Sequence, residues 1–148
     1  LLTELIVERI AETKTRNNIR WGDKECDVLV IGHGSSDKRA RDAFVHTVNS
    51  LSQSYRRVSF CFLELDQPSI ENAITQMVLH KPKALLLMPY FLHKGAHIKY
   101  DVLEEVQSAL EKNNFKEAYL SRHLGVNAKL VDLVLERAIE VEKRSGVR

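Results

Sequence analysis

Cysteine is scarce in this chain of 148 residues, with only Cys26 and Cys61. They form no CxxC pair and no ligand cluster, which excludes a cysteine-built zinc site and a disulfide framework. Two reduced thiols in a reducing compartment are expected, which points to the cytoplasm. Charge of one sign is also lacking. A formal net charge of +2 is too mild for a nucleic-acid partner or a basic membrane patch. No apolar run approaches the ~20 residues needed to cross a bilayer. The opening stretch Leu1 to Ala11 is amphipathic and carries Glu4, Glu8 and Arg9, unlike the apolar centre of a secretory leader. Internal repeats and low-complexity tracts are missing too. So are GxxxxGK[ST] and GxGxxG, which leaves nucleotide binding unsupported. GxSxG is absent as well, since Gly34-Ser35-Ser36 runs into Asp37 and Lys38; a serine hydrolase therefore ranks low.

What is present is the balance of one globular domain, 44% hydrophobic and 28% charged, enough for a single core. Leu1 to Asn18 reads as a helix, with Leu2, Leu5, Ile6, Ile10 and Thr13 on one face. The polar stretch to Glu25 reads as a connector, so residues 1–25 are expected to be an added element and 26–148 a single domain. From there strand and helix alternate. Asp27–Gly32, Val58–Leu65, Lys83–Tyr90 and the weaker Glu117–Ser121 suit buried parallel strands. Asp37–Ser54, Pro68–His80, Ile98–Asn113 and Asn127–Lys143 suit helices. Ser36 or Asp37 caps the first of these, and Pro68 sits in the first turn of the second. The pattern predicts an α/β fold, a flavodoxin-like or chelatase-like parallel four-stranded sheet flanked by helices, with an extra N-terminal helix.

Ligands of such sheets bind outside the carboxyl ends of the strands. His33, Glu64, His93, His97 and His123 all fall there. A single histidine would signify little. Convergence of His33, Glu64 and His97 from three successive strand ends gives two imidazoles and a carboxylate, a set suited to a first-row divalent metal and leaving open coordination positions. Gly32 and Gly34 flank His33, so the backbone there is expected to turn sharply and admit a flat ligand.

At these residues the sequence resembles the small sirohydrochlorin chelatases of the CbiX/SirB type. The resemblance lies in VLVIGHGSSDKRARDAF (28–44), FLELDQPSIENAI (62–74), MPYFLHKGAHIKYDV (88–102) and LGVNAKLVDLVLER (124–137), in the family's order. It implies insertion of a divalent metal, cobalt or iron with nickel as a third option, into sirohydrochlorin. Metal and catalytic roles fall to His33, His97 and Glu64. The metal is a substrate, and no permanently bound cofactor is implied. Short members of the family pair as homodimers, which this chain is expected to do. Some plant members carry an iron–sulfur cluster, but two cysteines cannot supply the usual four ligands, so no cluster is expected.

Metal insertion removes two pyrrolic protons, and an imidazole, with an ordinary pKa of about 6.5, can both accept a proton and bind a metal. Ser35, Ser36, Arg39 and Lys94, with Lys38, Arg41 and Lys99, are candidates to hold the ring's carboxylates. Tyr90 and Phe91, with Leu92, are candidates for an apolar wall. Each also has a plainer reading, as cap, solvated face or core. A non-catalytic module that binds tetrapyrrole or metal, and a protoporphyrin chelatase, are the competing readings.

Overall fold

The computed structural model describes residues 2–90 and 96–123, with the backbone alone for 96–100. Four parallel strands form one sheet in the order β2-β1-β3-β4: β1 (Cys26–Gly32), β2 (Arg57–Phe62), β3 (Ala84–Tyr90) and β4 (Ala118–Leu120). The α-helices among the described residues are α1 (Leu2–Arg16), α2 (Lys38–Asn49), α3 (Ile70–Val78) and α4 (Ala96–Lys112). Strand order reverses between β1 and β3, and that switch point is where ligands of doubly wound sheets bind.

The period of two along each strand divides the core between two faces. Val28, Val30, Leu86, Met88 and Tyr90 point to the side covered by α1 and α2, where Ile6, Ile10, Phe44, Val48 and Leu51 are buried. Leu29, Ile31, Leu85 and Leu87 point to the other side, against Ile70, Ile74 and Met77 of α3 and Val102 and Val106 of α4. Both faces of β1 and β3 are covered, which is why these strands are continuous apolar runs. α1 buries Leu2, Ile6, Ile10 and Thr13, so the helix expected as an added element contributes to the same core as the strands.

Several boundaries differ from the sequence reading for local reasons. α2 stops at Asn49, because Leu51 and Ser54 donate to carbonyls three residues back and wind the chain into turns. Its cap is Asp37, not Ser36: the Asp37 carboxylate accepts from the Arg39 N–H at 2.9 Å. β2 ends at Phe62, where the Phe62 N–H donates to the Pro68 carbonyl and the chain folds back on itself. Pro68 precedes α3 and lies outside its first turn, since Ser69 is the cap and accepts from the Asn72 N–H at 3.2 Å. The helix expected over 127–143 lies outside the described residues. Among those described, no helix is long and apolar enough to cross a membrane.

At the opposite end of the sheet from the switch point, Asp27 is fully buried, and neither carboxylate oxygen has a hydrogen-bond partner among the described residues. Arg56 Nε stands 3.5 Å away. Burial raises the carboxyl pKa above its ordinary value, outweighing the lowering by Arg56, Arg57 and His80. A raised folded-state pKa means stability is lost as pH climbs above the unfolded value. The Asp27→Asn variant is therefore expected to gain stability relative to the parent as pH rises from about 4 towards 7. Urea denaturation at several pH values checks this; a stability difference constant across that range would contradict it.

Candidate metal-handling site

β1 ends at Gly32, and the next residue, His33, stands at the carboxyl edge of the sheet. Pairing between β1 and β2 does not stop where the strands do. The Leu63 N–H donates to the Gly32 carbonyl at 2.9 Å, and the Glu64 N–H to the His33 carbonyl at 3.0 Å. These two bonds put His33 and Glu64 side by side on neighbouring loops. Their side chains then meet, with His33 Nε2 2.9 Å from Glu64 Oε1. Both remain open to solvent, 44% and 57% exposed.

The loop beyond is fastened to the same place. The Asp66 N–H donates to the Glu64 carbonyl at 2.8 Å. The Asp66 carboxylate accepts from the Ser35 N–H at 3.0 Å and pairs with Arg41 Nε at 3.6 Å. Arg41 also lies over the Phe62 ring, 5.7 Å from its centroid. Leu65, at the apex, has φ +67. That left-handed conformation costs a side-chain-bearing residue about 1–2 kcal/mol.

The glycines make room for protein. Gly34 has φ +101, and a Cβ there would lie 1.7 Å from the Glu64 carbonyl oxygen. A Cβ on Gly32 would come within 3.0 Å of the Phe44 ring. The close approach that the sequence suggested for a flat ligand is, at Gly34, the approach of one loop to the other.

His33, Leu63 and Glu64 line an open cleft of about 360 Å³ with Asp101, Glu104 and Glu105 of α4. Partial burial, then Asp101 and Glu71, hold the Glu105 carboxyl above the usual range. These acidic residues escaped the sequence reading. Their signal was DxxEE at helical spacing, one turn after His97. His97 lies in the first turn of α4, one turn before Asp101 of the cleft; its side chain lies outside the described residues, as do His93, Phe91 and Lys94. Among the described residues no three of His, Cys, Asp and Glu come together in metal-holding geometry.

The remaining candidates divide. Ser36 and Arg39 are exposed at the start of α2, with Arg39 3.8 Å from Asp37. Ser35 Oγ accepts from the Asp37 N–H at 3.0 Å, so it braces the loop. Tyr90 stands apart from the site: it is 5% exposed and packs at 5.2 Å against the Phe44 ring. As an even-numbered residue of β3 it points to the α2 side, into the core, and not into the expected wall. Burial pushes its hydroxyl up to about 12, outweighing a lowering by Thr47, and among the described residues that hydroxyl has no partner of hydrogen-bonding geometry.

The CbiX family model matches residues 27–141. The chain belongs to the CbiX family. It is 32% identical over 117 residues to a sirohydrochlorin ferrochelatase of Priestia megaterium, covering 76% of this chain and 43% of that one. It is 26% identical over 118 residues to a sirohydrochlorin cobaltochelatase of Sulfurisphaera tokodaii, covering 80% and 95%. The chain thus spans less than half of the first relative and nearly all of the second. In three dimensions it is similar to SirB from Bacillus subtilis with Fe3+, at a TM-score of 0.69 and 21% identity, covering 97% of this chain and 55% of that one. The CbiX match begins at Asp27, so among the described residues it takes in the four strands, short only of Cys26, and leaves α1 outside.

The Gly34 contact is open to test. Gly34→Ala is expected to cost at least about 1 kcal/mol, since it meets both a positive φ and a backbone collision. It should also part His33 from Glu64. Denaturant unfolding measures the first effect, and unchanged stability would contradict the loop-to-loop contact.

Proposed function

We propose that this chain is a sirohydrochlorin chelatase, a lyase-class enzyme, inserting cobaltous or ferrous ion into the ring. The observation that carries the reading is the His33–Glu64 pair at 2.9 Å, at the switch point of a chain that belongs to the CbiX family. Relatives named for iron and for cobalt support both metals, and the ligand types do not choose between them.

In this reading the incoming dication is drawn to a cleft rich in carboxylates, Glu64, Asp101, Glu104 and Glu105. His33 Nε2 and Glu64 bind it, with His97 as the third group. As the metal bonds to the ring nitrogens, two pyrrolic N–H bonds break. Their protons pass to His33 and Glu64 as general bases and then to water, so the dication replaces two protons and charge is conserved. The ring is a polyanion, which the carboxylate-lined wall would repel. Its carboxylates are assigned to the other lip, at Ser36, Arg39 and Lys38 at the start of α2, and to Lys94, while Phe91 is assigned to the apolar face of the ring. Residues 26–148 act as one chelatase unit, and two copies pair as a homodimer. One relative of which this chain spans nearly all, beside another of which it spans less than half, supports one unit working beside another.

Anaerobic absorbance of sirohydrochlorin with cobaltous or ferrous ion tests the proposal. The wild-type chain is expected to accelerate the spectral change over the no-protein rate. His33→Ala should return it to background with circular dichroism unchanged, and Glu64→Gln should slow it about 10²-fold. A wild-type rate equal to background would leave only a binding module. An active His33→Ala variant would sink the assignment of that residue.

A further inference from the structure

We propose that Leu65 is the contact for the apolar face of the tetrapyrrole, lying against the macrocycle while His33 and Glu64 handle the metal at its centre. The inference rests on the chelatase reading above. Three large hydrophobic side chains are exposed among the described residues: Trp21, Leu65 and Leu79. Two belong to the far end of the sheet. Trp21 precedes β1 and lies under the Lys83 ammonium, 4.6 Å from its ring centroid. Leu79 follows α3 in the turn that leads to β3. Leu65 alone stands at the carboxyl edge, next in the chain to Glu64 and 73% exposed.

One exposed leucine is ordinary. The backbone that carries it is not. At φ +67 Leu65 occupies the left-handed region, which glycine or asparagine fills readily and a branched side chain does not. The turn is imposed from both sides. Glu64 donates to the His33 carbonyl and Asp66 to the Glu64 carbonyl, while Ser35 and Arg41 hold the Asp66 carboxylate. Leu65 Cβ is thereby fixed 3.5 Å from where a Cβ on Gly34 would sit, beside the residue that follows His33. Glycine at position 65 would serve this turn better, so the leucine gives up backbone stability and leaves apolar surface in water. Its return has to come from something that covers it.

The site's chemistry says what. A ring that takes metal from His33 Nε2 must bring its centre close to that atom, so its face passes over the neighbouring loop. That face is flat and apolar, and the carboxylates are at the rim. Leucine suits the face, where a charged or amide side chain would be desolvated without a partner.

Leu65→Gly and Leu65→Met in the full chain test this, with metal-free sirohydrochlorin titrated anaerobically by absorbance. The Gly variant is expected to bind about tenfold more weakly, the loss of one buried aliphatic side chain. Its Tm should hold or rise by about 2 °C, because the left-handed turn is relieved. Met should restore affinity. Wild-type affinity in Leu65→Gly overturns the proposal. So does weaker binding with a fall in Tm, which makes the leucine structural. Unchanged affinity with an altered sedimentation coefficient assigns it to contact with a second copy, and overturns the proposal too. Wild-type protein that shows no saturable binding of the ring brings down the chelatase reading itself, and this inference with it.

Discussion

Two backbone hydrogen bonds past the ends of the strands organise everything at the carboxyl edge. They run from Leu63 to Gly32 and from Glu64 to His33. They extend the β1–β2 ladder by two residues after both chains have left regular strand geometry. Parallel pairing of this kind is rigid because its register is set by the buried residues behind it. Val30 opposite Phe60 and Ile31 opposite Cys61 fix the alignment, and a slip of one residue would turn each apolar set to the wrong face. The His33–Glu64 contact is thus inherited from core packing and does not depend on the two exposed side chains finding each other. Gly34 completes the device, since only a residue without a side chain lets the two loops touch.

Charge is distributed around this contact in a way that suits two unlike reactants. Carboxylates of α4 face His33 across the cleft and favour a dication. At the start of α2, Lys38 and Arg39 are exposed, on the side where a ring with peripheral carboxylates would meet opposite charge. Arg41 is the exception among these cations. Its guanidinium pairs with Asp66 and lies over Phe62, so its work is to hold the loop. In the proposed reaction this separation would keep the polyanionic ring from competing with the metal for the acidic wall.

Much of the fold was legible because burial writes itself into composition. β1 and β3 are covered on both faces and read as unbroken apolar runs; α2 and α3 show one apolar face and a capping residue apiece. His33, flanked by glycines, and Glu64 were legible as strand-end polar residues. What did not show was anything that depends on pairing over distance. Tyr90 reads as a strand-end aromatic, yet its parity in β3 sends it to Phe44. The reason for Gly34 lies thirty positions on, in the Glu64 carbonyl. The acidic row of α4 was passed over, because its bearing on the site depends on α4 lying across the cleft from His33. α1 looked separable because a polar connector follows it, although its apolar face is buried with the sheet.

The claim on which the rest turns is that His33 and Glu64 act as one unit on the metal. A double-mutant cycle with His33→Ala and Glu64→Ala, read as the affinity of the metal-free protein for cobaltous ion, measures it most directly. Groups that act together lose their function together, so the double variant is predicted to bind the ion no more weakly than His33→Ala alone. Losses that multiply, each substitution costing the same factor whether or not the other is present, would show two independent residues and contradict the shared role.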